Sequence, residues 1–319
     1  MKKIISLVTP VYNEEENIDD FYQQALETIK DLEDHYDFEF IFTDNHSYDK
    51  TWLLLKSIAE KDNRVKIIRF SRNFGYQRSI LTGYLNATGS AAIQLDCDLQ
   101  DPIELIHEFI KLWEQGYNVV YGIRKRRKEG LLINQLRKLY YRIINQISEH
   151  NLPVDAGDFR LVDRRILEEL RLIKDDAPYL RGAISEMGFR QVGIPYERRS
   201  RTKGESKFRM KDLLSLSIDG VLNHSIYPLK IVFFFGMLVF LLSIIATVFV
   251  FLSHWFAGSN WPRGFTTIVL LQIFSIAINT LFLGVLGAYI GRIFNQVKNK
   301  PITIVEEQNG TLSFPRKGE

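Results

Sequence analysis

Cysteine is almost absent from this sequence of 319 residues, in which Cys97 is the only one. A single cysteine excludes an internal disulfide and a zinc site built from several thiolates. We therefore expect Cys97 to behave as a small, buried, apolar residue.

Two further features are missing: a strong net charge and a secretion signal. The formal net charge is only +3, which gives no reason to expect a nucleic acid as partner. The first residues, Met1 to Val8, lack the long apolar stretch and the cleavage site of a signal peptide and predict a strand instead. We therefore expect the part of the chain that carries the chemistry to stay in the cytosol.

Two long apolar stretches do occur towards the C-terminal end. One runs from about Ile231 to Ser253 and the other from Phe265 to Ile290, and neither contains a charged residue. Each reaches the length of about 20 residues that a membrane-spanning helix needs. A buried hairpin in a large soluble core is the alternative, but two such stretches joined by a short loop favour a two-helix transmembrane hairpin over residues 229–291.

Positive charges flank this hairpin on its outer sides. Lysines and arginines precede the first stretch and follow the second, whereas the loop from His254 to Gly264 holds only Arg263. The positive-inside rule places both termini in the cytoplasm of a multi-pass protein of the cell (inner) membrane. Residues 292–319 are then a cytoplasmic C-terminal tail.

Basic amphipathic segments precede the hairpin. Residues 131–150 place leucine, isoleucine and tyrosine at helical spacing between arginines and lysines, which predicts an interfacial helix in the lipid headgroup layer. Residues 211–228 predict a juxtamembrane amphipathic helix in the same way. The alternative for residues 131–150 is an ordinary helix packed on the domain.

Residues 1–210 predict a catalytic domain in which strands alternate with helices. This α/β pattern indicates a mostly parallel sheet covered on both faces, and ligands bind such sheets beyond the carboxyl ends of the strands. The predicted strands are Ile4–Thr9, Phe38–Thr43, Val65–Phe70, Ala91–Leu95 and Asn118–Tyr121. The predicted helices are about Glu15–Glu33, Lys50–Lys61, Tyr76–Asn86 and Ile103–Gln115.

Polar residues follow four of these strands. They occupy Pro10–Glu14, Asp44–Asp49, Ser71–Gly75 and Asp96–Asp98. Four polar strand ends at one sheet edge indicate a binding site more strongly than any one of them. Aspartate and asparagine also commonly cap the next helix, so Asp49 is equally well explained as a cap.

Asp96 and Asp98 are the most informative pair. They lie two residues apart at the end of a strand, so their side chains point to the same side and repel each other. A divalent cation bound to a diphosphate, Mg²⁺ or Mn²⁺, would relieve that repulsion. The alternative is a solvated acidic loop that leads into a helix begun by Pro102.

The order of these motifs resembles that of the family 2 glycosyltransferases, in particular the polyprenyl-phosphate group that includes dolichyl-phosphate mannosyltransferases and bactoprenol glucosyltransferases. The two C-terminal spans resemble the bactoprenol branch. The resemblance implies a GT-A (Rossmann-like) fold, a nucleotide-sugar donor and a homo-oligomer. The segments that carry it are Pro10-Val11-Tyr12-Asn13-Glu14, Asp44…Ser47…Asp49, Asp96-Cys97-Asp98-Leu99-Gln100 and Gly157-Asp158-Phe159-Arg160-Leu161.

The resemblance also implies roles for single residues on the donor side. The residues that would bind the nucleotide-sugar are Pro10, Tyr12, Glu14, Asp44, Asn73 and Asp96. The residues that would hold the metal on the diphosphate are Asp98, with Gln100 beside it, and Asp96. The chain departs from the family pattern at Asp101, where several relatives have histidine, and at Asn45, where aspartate is common.

On the acceptor side, Asp158 is assigned by resemblance as the catalytic base or as the group that orients the acceptor. Gly157 would permit a tight turn that aims Asp158 into the site. The alternative is that Asp158 pairs with Arg160 or caps a turn. The residues expected to bind the lipid phosphate or the diphosphate are Arg198, Arg201 and Lys207, unless this run is only a juxtamembrane basic patch.

The expected reaction is an inverting hexose transfer from a nucleotide-sugar to polyprenyl (undecaprenyl) phosphate at the membrane. UDP-glucose is the expected donor because of the two-span branch, and UDP-N-acetylhexosamine and GDP-mannose are the alternatives. A processive polysaccharide synthase would carry more spans and a Gln-x-x-Arg-Trp motif, which is not evident. A non-catalytic nucleotide-binding membrane scaffold is the alternative from another functional class.

Overall fold

The computed structural model describes residues 2–124, 156–172, 180–199, 264–297 and 301–309, with five isolated positions between 234 and 245. The chain divides into two compact units. One contains the sheet domain together with residues 301–309, and the other contains the apolar helix of residues 265–297. The predicted helices at 131–150 and 211–228 lie outside the described residues.

The sheet domain is built on eight strands among the described residues, in the order β7-β5-β6-β4-β1-β2-β3-β8. The pairs β1–β2, β1–β4, β2–β3 and β5–β7 are parallel, and β6 and β8 run antiparallel to their neighbours. The sheet is therefore mostly parallel, as the sequence predicts. The strands are β1 Lys3–Val11, β2 Tyr36–Asp44, β3 Val65–Phe70, β4 Ala91–Gln94, β5 Val119–Arg124, β6 Ala156–Asp163, β7 Gln191–Tyr196 and β8 Val305–Gln308.

Helices cover both faces of this sheet, so strands such as β1 and β2 are apolar along nearly their whole length. One core layer contains α1, α2 and α4 and includes Phe21, Phe42 and Phe109. The other contains α3, α5 and α6 and includes Tyr84 and Leu167. The helices are α1 Ile18–Ile29, α2 Thr51–Lys61, α3 Tyr76–Asn86, α4 Ile106–Glu114 after a 3₁₀ turn at Ile103–Leu105, α5 Arg164–Leu172 and α6 Leu180–Glu186.

Helix α3 lies unusually close to β1. A Cβ atom added at Gly83 would be 2.3 Å from Cγ1 of Val8. The glycine therefore lets α3 approach the sheet, and it fixes the start of α3 near the carboxyl ends of the strands.

The second unit contains helix α7, Phe265–Val297. Over the part of the chain that the structure describes, no helix meets both the length and the apolarity that a membrane span requires. The transmembrane hairpin at 229–291 therefore stays a prediction.

Strand β8 is an element that the sequence analysis did not predict. It lies within residues 292–319, which were expected to form a tail, and it pairs antiparallel with β3 at the edge of the sheet. The Asn309 side chain binds the backbone of Ile67 and Val65 at 2.6 and 3.0 Å. Residues 301–309 are therefore part of the sheet domain.

Candidate active site

The carboxyl ends of β1, β2, β3 and β4 lie at one edge of the sheet because these strands are parallel. Strand β6 runs the other way, so it begins at that edge. Arg160 of β6 is paired with Gln94 of β4, which places Asp158 beyond the end of β4 beside Asp96. The topology thus brings together four of the predicted motifs.

The loops after β1 and β2 are joined by hydrogen bonds. The backbone N–H of Asn13 donates to Oγ of Ser47 at 2.8 Å, and Oδ1 of Asn13 accepts from the backbone of Tyr48 at 2.8 Å. The backbone of Glu14 donates to Thr51 at 2.8 Å. The segments that carry Pro10, Tyr12 and Glu14 and that carry Asp44 are therefore neighbours, as expected of one pocket.

Asp49 precedes Lys50, the N-cap residue of α2, and accepts hydrogen bonds at the start of that helix. Its carboxylate accepts hydrogen bonds from the backbone N–H groups of Thr51 at 3.0 Å and of Glu15 at 3.3 Å. It thereby links the start of α2 to the loop after β1, which is a sufficient explanation for its position.

Asp44 is fully buried at the end of β2. One carboxylate oxygen accepts hydrogen bonds from the backbone and the hydroxyl of Ser47. The other, Oδ2, has no hydrogen-bond partner among the described residues and lies 3.8 Å from Nε of Arg69. Burial raises the pKa of Asp44, although Ser47 and Arg69 oppose the shift. An unsatisfied buried acceptor of this kind suits a ligand that donates a hydrogen bond.

Asn73 lies at the surface of the loop after β3. Its side chain is exposed, and Oδ1 accepts a hydrogen bond from the backbone of Gly75 at 2.8 Å. That bond forms the turn between β3 and α3. Asn45, by contrast, is buried and accepts from the backbone of Phe74 at 3.3 Å, so its amide joins the loops after β2 and β3.

Asp96 is held by a polar network at the end of β4. Its Oδ1 accepts hydrogen bonds from the Tyr76 hydroxyl at 2.5 Å and from the buried Gln94 amide at 2.8 Å. Burial and the nearby charges of Asp101, Asp98 and Asp158 raise the pKa of Asp96 to about 7, and the bond from Tyr76 opposes this shift. Crowded carboxylates of this kind favour a bound cation.

Asp98 follows in a turn of constrained backbone. Leu99 has φ of 56°, in the left-handed region that a leucine rarely adopts. Gln100 donates its backbone N–H to Oδ1 of Asp98 at 3.2 Å. The turn fixes the carboxylate of Asp98 at the sheet edge, and left-handed residues at such a place commonly mark a functional site.

Asp101 closes the carboxylate loop against the basic segment. It is buried and accepts hydrogen bonds from the Tyr196 hydroxyl at 2.5 Å, from Arg198 at 3.2 Å and from Arg124 at 3.3 Å. The backbone of Arg199 donates to the carbonyl of Gln100 at 2.9 Å. The structure therefore brings Arg198 next to the loop of Asp96 and Asp98, whereas Arg201 and Lys207 lie outside the described residues.

Asp158 is paired with Arg181, which the sequence analysis did not single out. The carboxylate is buried and makes a bidentate bond with the guanidinium, at 2.9 Å to Nε and 2.6 Å to Nη2. Burial raises the pKa of Asp158, but Arg181, with Arg160 and Gln77, outweighs it and lowers the pKa to about 2. A carboxylate of such low basicity is a poor proton acceptor.

The prediction of a tight turn at Gly157 is wrong. Gly157 lies inside strand β6, and its φ is not in the left-handed region. A Cβ atom there would be 3.3 Å from the guanidinium of Arg124. Gly157 therefore permits close packing against Arg124 and does not form a turn. The position of Asp158 follows from the direction of β6.

The residues of this edge fit a magnesium or manganese ion that is shared with a substrate. No group of three or more histidine, cysteine, aspartate or glutamate side chains in the described ranges is arranged to hold a metal alone. Magnesium, however, usually binds through one or two carboxylates and the phosphates of the substrate. The mutual repulsion around Asp96 and Asp98 is consistent with that mode.

Comparison with known proteins identifies the family. Residues 6–171 match the profile described as Glycosyl transferase family 2. The chain belongs to this family. It is therefore a glycosyltransferase, and its mostly parallel sheet is GT-A-like.

Full-length relatives support the assignment. The uncharacterized glycosyltransferase YkcC of Bacillus subtilis (strain 168) is 38% identical over 96% of this chain and 94% of its own length. The SfII prophage-derived bactoprenol glucosyl transferase of Shigella flexneri is 33% identical over 96% and 98%. The alignment with a solved mannosyltransferase, PcManGT from Pyrobaculum calidifontis in complex with GDP-Man and Mn²⁺, covers 94% of this chain and 89% of that one, at 16% identity and a TM-score of 0.45.

Several residues of the site were missed because their positions depend on the fold. Tyr76 begins α3 directly after the third polar strand end, so the rule that ligands bind at strand ends could have indicated it. Arg181 and Tyr196 had no such signal. They are brought to the edge by α6 and β7, whose segments carry no recognisable motif.

Proposed function

We propose that this glycosyltransferase transfers a hexose, glucose from UDP-glucose, to a polyprenyl phosphate. The observation that carries the proposal is the contact between the carboxylate loop at Asp96–Asp101 and the basic segment at Arg198. Groups suited to a diphosphate and its metal then lie next to groups suited to a second phosphate. The full-length relatives named bactoprenol glucosyl transferases support the same acceptor class.

The proposed reaction is a single displacement with inversion. An oxygen of the acceptor phosphate attacks the anomeric carbon, the bond from that carbon to the donor diphosphate breaks, and the electron pair leaves with the nucleoside diphosphate. An α-linked donor then gives a β-linked lipid-phosphate sugar. Because the acceptor is already anionic near neutral pH, positioning and charge compensation are more important than a strong base.

Asp158 then serves to orient the acceptor site through Arg181. Its low pKa keeps the carboxylate ionised at neutral pH, where the bidentate pair holds the guanidinium in a fixed direction. Arginine is well suited to binding phosphate oxygens in this way. Of the two roles expected for Asp158, we propose the orienting one.

On the donor side, Asp98 and Asp96 would hold Mg²⁺ or Mn²⁺ on the diphosphate. The bound ion would supply a Lewis acid that neutralises the charge developing on the leaving group. Asp44 would accept a hydrogen bond from the nucleoside through its unsatisfied Oδ2.

We further propose that the enzyme is a homo-oligomer of the cell membrane with its catalytic domain and both termini in the cytoplasm. The uncharged stretches at 231–253 and 265–290 and the distribution of lysine and arginine around them support this placement. A lipid-borne phosphate would then meet the cytosolic donor at the membrane surface.

The test is a transfer assay on the full-length protein in lipid nanodiscs. Radiolabelled UDP-glucose, UDP-N-acetylglucosamine and GDP-mannose are each supplied with a short polyprenyl phosphate, with Mn²⁺ or with a chelator. We expect label to move to the lipid fraction from UDP-glucose. Asp98→Asn should lower the rate about 100-fold, the scale of losing one group that stabilises transition-state charge.

Asp37→Asn provides the matched control. Asp37 is exposed near the start of β2, at the opposite end of the strand from Asp44, so the same change of charge there should leave the rate unaltered. Equal rates for Asp98→Asn and Asp37→Asn would contradict the metal role. Absence of transfer from every donor would instead favour a nucleotide-binding scaffold.

A further inference from the structure

Strand β8 brings a carboxylate to the donor side of the site. We infer that Glu306 is a positioning residue for the nucleotide: it restrains Arg69 so that the buried Oδ2 of Asp44 stays without a partner among the described residues and is left for the donor. The inference rests on the proposed function, because it concerns the same donor pocket. Glu306 lies about 200 residues after the nearest motif predicted to bind the donor, within the segment 292–319 that was expected to be a C-terminal tail.

The first observation is the position of Arg69 between two carboxylates. Its Nε lies 3.4 Å from Glu306 Oε2 and 3.8 Å from Asp44 Oδ2. Both Nε of Arg69 and Oδ2 of Asp44 are buried and without a hydrogen-bond partner among the described residues. A shift of less than 1 Å would join these two atoms, yet the side chain lies nearer to Glu306.

The second observation is that the other end of Arg69 is fixed. Its Nη2 donates to the carbonyl of Ser47 at 3.1 Å, and its guanidinium lies 5.5 Å from the centre of the Trp52 ring. Nε can therefore turn towards Asp44 while the other end of the guanidinium keeps its contacts with Ser47 and Trp52. Removing the pull of Glu306 should let Nε form the charge-assisted bond with Asp44 that is now absent.

The third observation is that the strand pairing aims Glu306 at this place. Arg69 is paired with Glu307 and Phe70 with Val305, so Glu306 is the extra residue at a bulge in β8. Bulges redirect side chains and are frequent beside active sites. Glu306 Oε2 is also 3.1 Å from Nδ1 of His46, which lies in the loop after β2.

His46 also contacts the end of β3. Its Nδ1 is also 2.9 Å from the carbonyl oxygen of Phe70. Because the Phe70 oxygen and the Glu306 carboxylate can only accept, the hydrogen-bond network assigns the proton to Nδ1. The N–H group at Nδ1 is therefore bound to Phe70, and the Glu306 carboxylate lies beside it without a hydrogen bond of its own to His46.

The consequence for the donor follows from Asp44. When Arg69 is held back, Oδ2 of Asp44 is a buried acceptor without a partner among the described residues, and a nucleoside N–H or O–H group can satisfy it. When Arg69 closes on Asp44, the nucleoside must compete with an internal ion pair. Glu306 should thus affect the affinity for the donor and not the rate of the chemical step.

The test compares Glu306→Gln with Glu307→Gln in the full-length protein. Glu307 is the neighbouring, similarly exposed glutamate of β8; its carboxylate is bound to Trp52 and Lys56, and Arg69 is the weakest of the charged or polar neighbours that act on it. We expect Glu306→Gln to raise the dissociation constant for UDP and the KM for UDP-glucose about three- to tenfold, with kcat unchanged. Glu307→Gln should leave all three values within about twofold of the wild type.

A second pair of variants, made in a chain without Arg69, tests whether Glu306 acts on UDP binding through Arg69. In a chain that carries Arg69→Met, adding Glu306→Gln should no longer weaken UDP binding, because no guanidinium remains to be restrained. Equal UDP affinities for Glu306→Gln and Glu307→Gln would overturn the inference. So would an undiminished effect of Glu306→Gln in the Arg69→Met background, or a loss confined to kcat.

The same titration separates this inference from the proposed function. A wild-type protein that binds neither UDP nor GDP would refute the donor site itself. A wild-type protein that binds UDP and transfers sugar, while Glu306→Gln behaves like Glu307→Gln, would refute only the role of Glu306. Thermal unfolding of every variant shows whether each is folded at the assay temperature.

Discussion

At the scale of single residues, the candidate site contains a buried ion pair between Asp158 and Arg181. The carboxylate is buried, and the neighbouring guanidinium lowers its pKa to about 2 against a burial effect that raises it. A depressed pKa means that the pair stabilises the folded state above the ordinary pKa of about 4 and that this contribution is lost as the pH falls towards 2. The stabilisation at neutral pH is about 2 kcal/mol, at 1.36 kcal/mol per pKa unit.

We therefore predict that Arg181→Gln destabilises the protein by about 3 kcal/mol at pH 7, because it leaves a buried carboxylate without its main partner. At pH 4 the deficit should be smaller, since Asp158 can then be protonated in the variant. Chemical unfolding at both pH values measures the two differences.

The double variant Arg181→Gln/Asp158→Asn is the control. It removes the buried charge as well and should recover most of the stability at pH 7 without recovering transfer. A double variant as unstable as Arg181→Gln alone would contradict the charge argument.

Residue-level prediction from the sequence was good for carboxylates and poor for their partners. Asp96, Asp98 and Asp158 stand in short recognisable motifs, and the fold brings all three to one edge. Arg181 stands in no motif, and only the reversed direction of β6 and the placement of α6 bring it to Asp158. Cys97, the single cysteine of the sequence, is buried, as predicted.

At the scale of the elements, the first 124 residues were the most predictable. Strand β3 and helix α3 have the predicted bounds, and the other strands and helices of this part differ only at their ends. Their apolar runs are continuous because both faces of the sheet are covered. Strand β6 was missed since it carries the functional residues Asp158 and Arg160, which interrupt the apolar pattern.

Strand β8 could not be predicted for a different reason. Its sequence, Val305-Glu306-Glu307-Gln308, is short and polar, as an edge strand beside solvent can be. What makes it a strand is the pairing with β3 and the bonds from Asn309, which are contacts between distant parts of the chain.

Helix α3 gives a prediction about packing. Gly83→Ala should lower the free energy of unfolding by about 1–2 kcal/mol, because the clash of the new methyl with Val8 Cγ1 outweighs the better helix propensity of alanine. Thermal or chemical unfolding measures this. Adding Val8→Ala removes the clashing atom, so Gly83→Ala should then cost much less than it does in the wild-type background, and an unchanged cost would argue against the clash.

At the scale of the whole molecule, the sheet domain is assembled from segments at both ends of the chain. Ending the chain after residue 300 would remove the backbone pairing of β8 with β3, the two side-chain bonds of Asn309 and the bond between Glu307 and Trp52. At about 1 kcal/mol for each hydrogen bond, the three side-chain bonds alone correspond to about 3 kcal/mol, so we expect the melting temperature to fall by at least roughly 6–12 °C.

The matched control ends the chain after residue 309 and keeps every bond named here. Differential scanning fluorimetry in nanodiscs compares the two. Equal melting temperatures would show that β8 contributes little to the stability of the domain.

The pairing of β3 with β8 also has a consequence for synthesis. Ile67 and Asn309 are 242 residues apart, so at about 5–20 residues per second the ribosome finishes β8 some 10–50 seconds after β3. For that interval the outer edge of β3 displays free amide and carbonyl groups to every nascent chain nearby. Until β8 is synthesised, this edge of β3 is therefore open to pairing with another chain.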